Sequence, residues 1–385
     1  MRSFLHLVAL AVTFLIPVHA ESGRTHHVHS SCTDRSTWAK SLELAVKIIE
    51  TAIESIDGED EPRLDIVDAA QDIFDVVLDS QEWYNLKGLQ EPYKEILSWT
   101  TAEVKSSEFE TLKAAAIRTM CGNSAMVEDE NAPDDPSKPG TVRKRLEGEV
   151  RTPVEGEAPP GEQGYTDIKN YMAMVQPYCS EMGVKGYTSH YRYDAVPEFQ
   201  PKEETDTCEP ERHLQFGQNP IRTAAELCDV VFQELKNLQG ERMIQNAEHL
   251  DWDNKDFSGK TLNDFRFLTA LTIIHEYMHV ARPPFGTDSG SQKIQRNCIR
   301  DVRGKDSYGW QNIGPMTHDE AIINADSYTW FAFITFLFSH GYALTRSELG
   351  ECSDLEGAAR DAEIARLTAL RQAGVIQKYP DIVEF

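Results

Sequence analysis

Thr272-Ile273-Ile274-His275-Glu276-Tyr277-Met278-His279-Val280 is the stretch on which the reading of this chain turns. Phe267, Leu271, Ile274 and Met278 recur at helical spacing, which predicts a helix with an apolar face to bury. Asn263 or Thr261 can cap its start, and Pro283-Pro284 ends it. On that helix His275 and His279 lie one turn apart, so two imidazoles can take two corners of a tetrahedral zinc site. Glu276 stands beside the first of them, where it reaches a water at the metal without binding the metal. Two ligands and a general base in this order suit metal-assisted peptide hydrolysis. The same pattern arises by chance in some chains of this length. Such accidents fall mostly in polar loops, whereas this one sits between apolar turns.

The beginning of the chain sets the expected compartment. Arg2 is a positive n-region, Phe4 to Pro17 an apolar h-region, and Val18-His19-Ala20 a small-residue cleavage site, so residues 1–20 read as a signal peptide. The run from Trp330 to Phe338 is too short to span a membrane and reads as a buried helix. The formal net charge is −25, with 63 acidic against 38 basic residues, which argues against nucleic acid or an anionic membrane as partner. Seven cysteines (Cys32, Cys121, Cys179, Cys208, Cys228, Cys298 and Cys352) are scattered, with no Cys-x-x-Cys pair for a thiolate metal site. In a secreted chain they read as up to three disulfides and one cysteine over. The expectation is a secreted, extracellular monomer.

Residues 21–35, with His26, His27 and His29, read as a polar tail. Helical patterns run from about Thr37 to Ile56, then through Ile66, Ala70, Ile73 and Val77, then from about Pro92 to Met120. Between 127 and 164 the composition turns rich in Pro, Gly, Glu and Asp, which predicts a disordered acidic insertion with no core of its own. Lys144-Arg145 within it reads as a dibasic processing site or as an ordinary charged pair. Tyr187 to Tyr193 is strand-like. A long buried helix is expected from about Asp319 to His340, and an amphipathic one from Leu355 to Gln372. Residues 36–385 thus read as one interrupted domain.

A catalytic zinc needs a third protein ligand and an open position. The metzincin pattern requires glycine at position 282 and histidine at 285, where this chain has Arg282 and Phe285. The gluzincin pattern requires a glutamate four residues ahead of Asp326, where Ile322 stands. What the chain does carry is Asp301-Val302, Tyr308-Gly309-Trp310 and Asn324-Ala325-Asp326-Ser327-Tyr328. Together with the His-Glu-x-x-His helix, this combination resembles the aspzincin metallopeptidases, the fungal deuterolysins and lysine-specific metallo-endopeptidases, over about Thr272 to Phe333. The family's Gly-Thr-x-Asp-x-x-Tyr-Gly motif is split here between Gly286-Thr287-Asp288 and Asp306-Ser307-Tyr308-Gly309. Three aspartates therefore compete as third ligand. Asp301 is preferred, because Ile299 and Val302 bracket it in an ordered segment. Asp306, in a solvated turn, comes second, and Asp288, in an open loop, third.

The resemblance implies a mainly α, α+β zincin-like domain with a small sheet, binding one catalytic Zn2+ and cleaving protein or peptide substrates. It implies Glu276 as general base, Tyr308 as hydrogen-bond donor to the oxyanion, and Asp326 either behind a ligand histidine or in the substrate pocket. Thr329 stands where the lysine-specific branch has an acid, so cleavage broader than lysine-only is expected. The alternative is a secreted zinc-binding or surface-interaction protein on the same scaffold, without turnover. The retained Glu276 speaks against it, and the split motif speaks for it.

Overall fold

The computed structural model describes residues 26–57, 64–75, 88–100, 117–122, 126–128, 144–146, 173–174, 179, 185–192, 221–236, 240–281, 299–345 and 355–378. Residues 1–20, most of 127–164, Asp288, Cys208, Cys298 and Cys352 lie outside them. Nine α-helices are described: α1 (Ser30–Thr33), α2 (Trp38–Asp57), α3 (Leu64–Phe74), α4 (Gln90–Thr100), α5 (Thr269–Met278), α6 (Trp310–Ile313), α7 (His318–Ala321), α8 (Ala325–Ser339) and α9 (Gly357–Gln372). The described strands are β1 (His26–Val28), β2 (Ile117–Cys121), β3 (Met126–Glu128), β4 (Lys144–Leu146), β5 (Ala173–Met174), β6 (Gly186–Arg192), β7 (Ile221–Leu227), β8 (Tyr342–Leu344) and β9 (Ile376–Lys378). The chain is mainly helical with small sheets.

Helix α8 is apolar all round, and every residue from Ala325 to Phe338 is buried, as such a composition requires. It packs against α2, α3 and α5. Helix α2 turns a stripe of Trp38, Leu44, Ala45, Ile48, Ile49, Ala52 and Ile56 inward. Helix α5 lies between α8 and α2 on one side and strands β6 and β7 on the other, so both of its faces are covered.

The largest sheet has the order β1-β2-β7-β6. The first three strands are parallel, and β6 runs antiparallel to β7 along one edge. Strands β3, β4 and β5 form a second, antiparallel sheet, and β8 pairs with β9. Cys32–Cys121 ties α1 to the end of β2, and Cys179–Cys228 anchors the residue immediately after β7. Among the described residues no helix is long and apolar enough to cross a membrane.

Several boundaries differ from expectation. His26–Val28, read as part of a polar tail, is a buried strand, because pairing with β2 satisfies its backbone and the first disulfide pins the adjoining helix α1 to the end of that same strand. Of the helical pattern from Pro92 to Met120, the described part up to Thr100 is helix, whereas Ile117–Cys121 is a fully buried strand between β1 and β7. Sheet pairing there overrides a helix-compatible local pattern. Two pieces of the acidic stretch, Val127–Glu128 and Lys144–Leu146, are paired strands, so Lys144-Arg145 lies within a ladder. The long helix expected from Asp319 is two helices, broken at Asn324. Asn324 is extended (φ −101°, ψ 125°) and pairs with Arg300, which draws the segment Ile299–Asp301 against the start of α8.

Candidate metal centre

His275 sits in the last turn of α5, and His279 caps its C-terminus. Their Nε2 atoms approach to 3.2 Å. Asp301 comes in from the Ile299–Asp301 segment, fixed by Arg300 N donating to Ile323 O (2.8 Å) and Ala325 N donating to Arg300 O (3.2 Å). Its Oδ1 lies 3.3 Å from His275 Nε2 and 3.6 Å from His279 Nε2. The three atoms form a triangle that can hold a metal ion.

The outer hydrogen bonds set which atoms face that triangle. His279 Nδ1 donates to Ile299 O (3.1 Å), and a carbonyl can only accept. His275 Nδ1 donates to Asp326 Oδ1 (2.7 Å). Both Nδ1 atoms are thereby donors, which leaves the two Nε2 atoms for the triangle; with an ion bound there, their lone pairs would turn inward. Asp301 Oδ1 is buried and has no hydrogen-bond partner. Two ring nitrogens thus converge on a buried carboxylate oxygen, an arrangement that is unfavourable unless positive charge, a proton or a metal ion, joins them. Ligands at about 2.0–2.1 Å from a tetrahedral ion stand about 3.3 Å apart. The observed edges match that figure, so these residues fit a metal.

The charges respond to one another. Burial works against charge on His275, but Asp301 and then Asp326 outweigh it and hold its pKa well above the ordinary value. For Asp301, burial is overcome by His275, His279 and the Tyr308 hydroxyl, and its carboxyl stays well below the usual range. His279 is lowered, mainly by burial. Asp326 is almost fully engaged: its Oδ2 also accepts from Gly309 N (2.5 Å) and from Trp330 Nε1 (3.3 Å).

Glu276 points to the side of the triangle. The Thr188 hydroxyl on β6 lies 2.7 Å from its Oε2 and 3.0 Å from its own carbonyl. Burial lifts its pKa to about 7, moderated by His275 and the Thr188 hydrogen bond. Gly186 lets β6 run this close, since a Cβ there would lie 2.4 Å from Glu276 Oε1. Tyr308 is 46% exposed and donates to Asp301 Oδ2 (2.7 Å), with its ring 5.4 Å from that of His275. Beside these residues opens a cavity of about 590 Å³ that reaches Glu276, His275 and Tyr308.

Of the two competing aspartates among the described residues, Asp301 is the one brought to the histidines; Asp288 lies outside the described residues. Asp306 is exposed on the turn Gly304–Ser307 and does not join them. Thr188, Gly186 and Lys185 were not found from sequence, since they reach the site only through the register of β6 on β7. The chain matches no known family model, and no curated protein matches it either.

Proposed function

We propose that the chain is a secreted zinc-dependent endopeptidase of aspzincin type. The observation that carries this reading is the convergence of two Nε2 atoms and the buried Asp301 Oδ1 beside a carboxylate, Glu276, that stays out of the triangle. His275, His279 and Asp301 would hold the metal. A zinc ion there would supply Lewis acidity toward the scissile carbonyl and toward water.

The chain's own groups do the rest. Glu276, poised near neutrality, accepts the proton from the attacking water and returns it to the leaving amine. Thr188 keeps its carboxylate turned toward the site. Tyr308, half exposed, swings its hydroxyl from Asp301 to the developing oxyanion. Asp326 holds His275 in the ligating tautomer. The two disulfides accord with an oxidising compartment.

The test is metal content together with hydrolysis of casein and an unbiased peptide mixture, with and without chelator. Zinc at one equivalent and chelator-sensitive cleavage are expected. Glu276→Gln should keep the zinc and lose at least about a hundredfold in rate. Zinc binding with no cleavage of any substrate would favour the non-catalytic zinc-binding alternative, and absence of metal would end both readings.

A further inference from the structure

The cavity beside the metal centre carries two cations that the mechanism does not use. Lys185 precedes β6 and sits next to Gly186, the point of closest approach to Glu276. Its ammonium donates to Arg266 O (2.7 Å) and lies 4.7 Å from the centre of the Phe267 ring. The Arg266 guanidinium lies 4.8 Å from the centre of that same ring. Both side chains line the cavity, and among the described residues neither forms an ion pair.

The carboxylates in the same wall are already committed. Asp326 accepts from His275, Gly309 and Trp330, and Glu276 is held by Thr188. Thr329, also in the wall, turns its hydroxyl to Ala325 O (3.0 Å) and offers no charge. Leu271, Phe267 and Trp330 supply apolar surface for a short aliphatic stem. We infer that this cavity takes a carboxylate of the substrate, carried on an acidic side chain next to the scissile bond and received by Lys185 and Arg266. The inference rests on the peptidase reading and adds a substrate class to it. A wall whose two cations have no ion-pair partner among the described residues disfavours lysine or arginine in the cavity and rewards a carboxylate through charge-assisted hydrogen bonds. Burial, only partly offset by Asp326 and reinforced by Arg266, pushes the Lys185 pKa down to about 8, so a further anion beside it would relieve that cost.

The experiment has a binding arm and a cleavage arm. Isothermal titration of zinc-loaded Glu276→Gln protein uses amidated, acetylated peptides that differ only in one central residue: Glu, Asp, Gln or Lys. A further peptide has no acidic side chain but a free C-terminal carboxylate. The Glu or Asp peptide should bind at least about tenfold more tightly than its Gln and Lys counterparts. Arg266→Gln, an exposed and fold-neutral change, should reduce that margin several-fold, and Lys185→Gln together with Arg266→Gln should abolish it. Equal binding of all amidated peptides, or preference for Lys, overturns the inference. Preference only for the free C-terminus moves the carboxylate from side chain to chain end and overturns it equally. In the cleavage arm, wild-type protein should cut the Glu and Asp peptides fastest. Selective binding without cleavage would sink the peptidase reading and leave the pocket standing. Cleavage indifferent to the acid would do the reverse.

Discussion

Two buried histidines, one on helix α5 and one packed against it from β1, have surroundings that could hardly differ more. His275 projects into the candidate metal centre, where two carboxylates within 3.3 Å hold it toward its charged form. His26 comes from β1 and packs on Tyr277, the residue after Glu276, with ring centres 5.6 Å apart. It also meets Trp99 edge-on at 5.0 Å, and its Nε2 lies 2.9 Å from the Thr119 hydroxyl. Among the described residues no acid balances it, and burial, helped by His27, pushes its pKa down to about 3. Burial is common to both; the carboxylates make the difference. One side of α5 is a set of charges that balance around a cation site, and the other is a neutral wall that tolerates no charge.

The sharpest break of this contrast is to remove the acid that faces both ligand histidines. Asp301→Ala should weaken zinc binding by more than about a thousandfold, beyond the tenfold to hundredfold typical of outer-shell partners. Competition with a chromophoric chelator reads this directly, and affinity near that of the wild type would disprove the ligand set. On the neutral side, His26 has a folded pKa below its unfolded 6.5, so its stabilising effect is present above that value and disappears as pH falls. By about pH 4 it should cost roughly 3 kcal/mol. His26→Gln should flatten that acid limb in denaturant titrations; an unchanged limb would show that His26 is already charged in the fold.

Glu226 on β7 gives the opposite slope. Burial, then repulsion from Asp229, lifts its pKa to about 7 from 4.5, so its contribution is full below the lower value and is lost as pH rises through the upper one. By about pH 8 the cost is of the same order, roughly 3 kcal/mol, and Glu226→Gln should remove it. A variant no more stable than wild type at that pH, measured by the same titration, would contradict the buried carboxyl. The smallest expected effect is that of Asp326→Asn, which keeps the shape and weakens the hold on His275. Zinc affinity should fall by about tenfold to a hundredfold. A loss as deep as that of Asp301→Ala would make Asp326 a ligand in its own right.

How much of this was legible in the sequence depends on how local each signal is. His275, Glu276 and His279 are read from one helical turn, and α2, α5 and α9 from their periodicity. Asp301 was legible because its apolar brackets mark an ordered segment; Ile299 is indeed buried, whereas Asp306 lies exposed on its turn. The burial of Trp330 to Phe338 could be read from composition alone. Strand β1 was hidden because three residues, two of them histidines, carry no usable alternation, and their burial depends on a partner far along the chain. Thr188, Lys185 and Arg266 were hidden for the same reason. Their place beside Glu276 comes from strand register and from the path of the chain into α5, neither of which leaves a local mark. The break at Asn324 was missed because a buried helix and its extended approach are equally apolar.

Asp326 has one oxygen on His275 and the other on the backbone of Gly309, the residue after Tyr308. The chain from Gly309 to Asp326 is therefore closed into a ring at the metal centre, like a clasp with the carboxylate as its pin. A ring closed in this way makes two fits depend on each other. Whatever steadies His275 also steadies the loop that presents Tyr308, and by linkage whatever orders that loop returns the same free energy to the histidine. On the proposed reading, loading the ion and setting the tyrosine would be one cooperative act. The protein would sharpen its grip and its aim at the same moment.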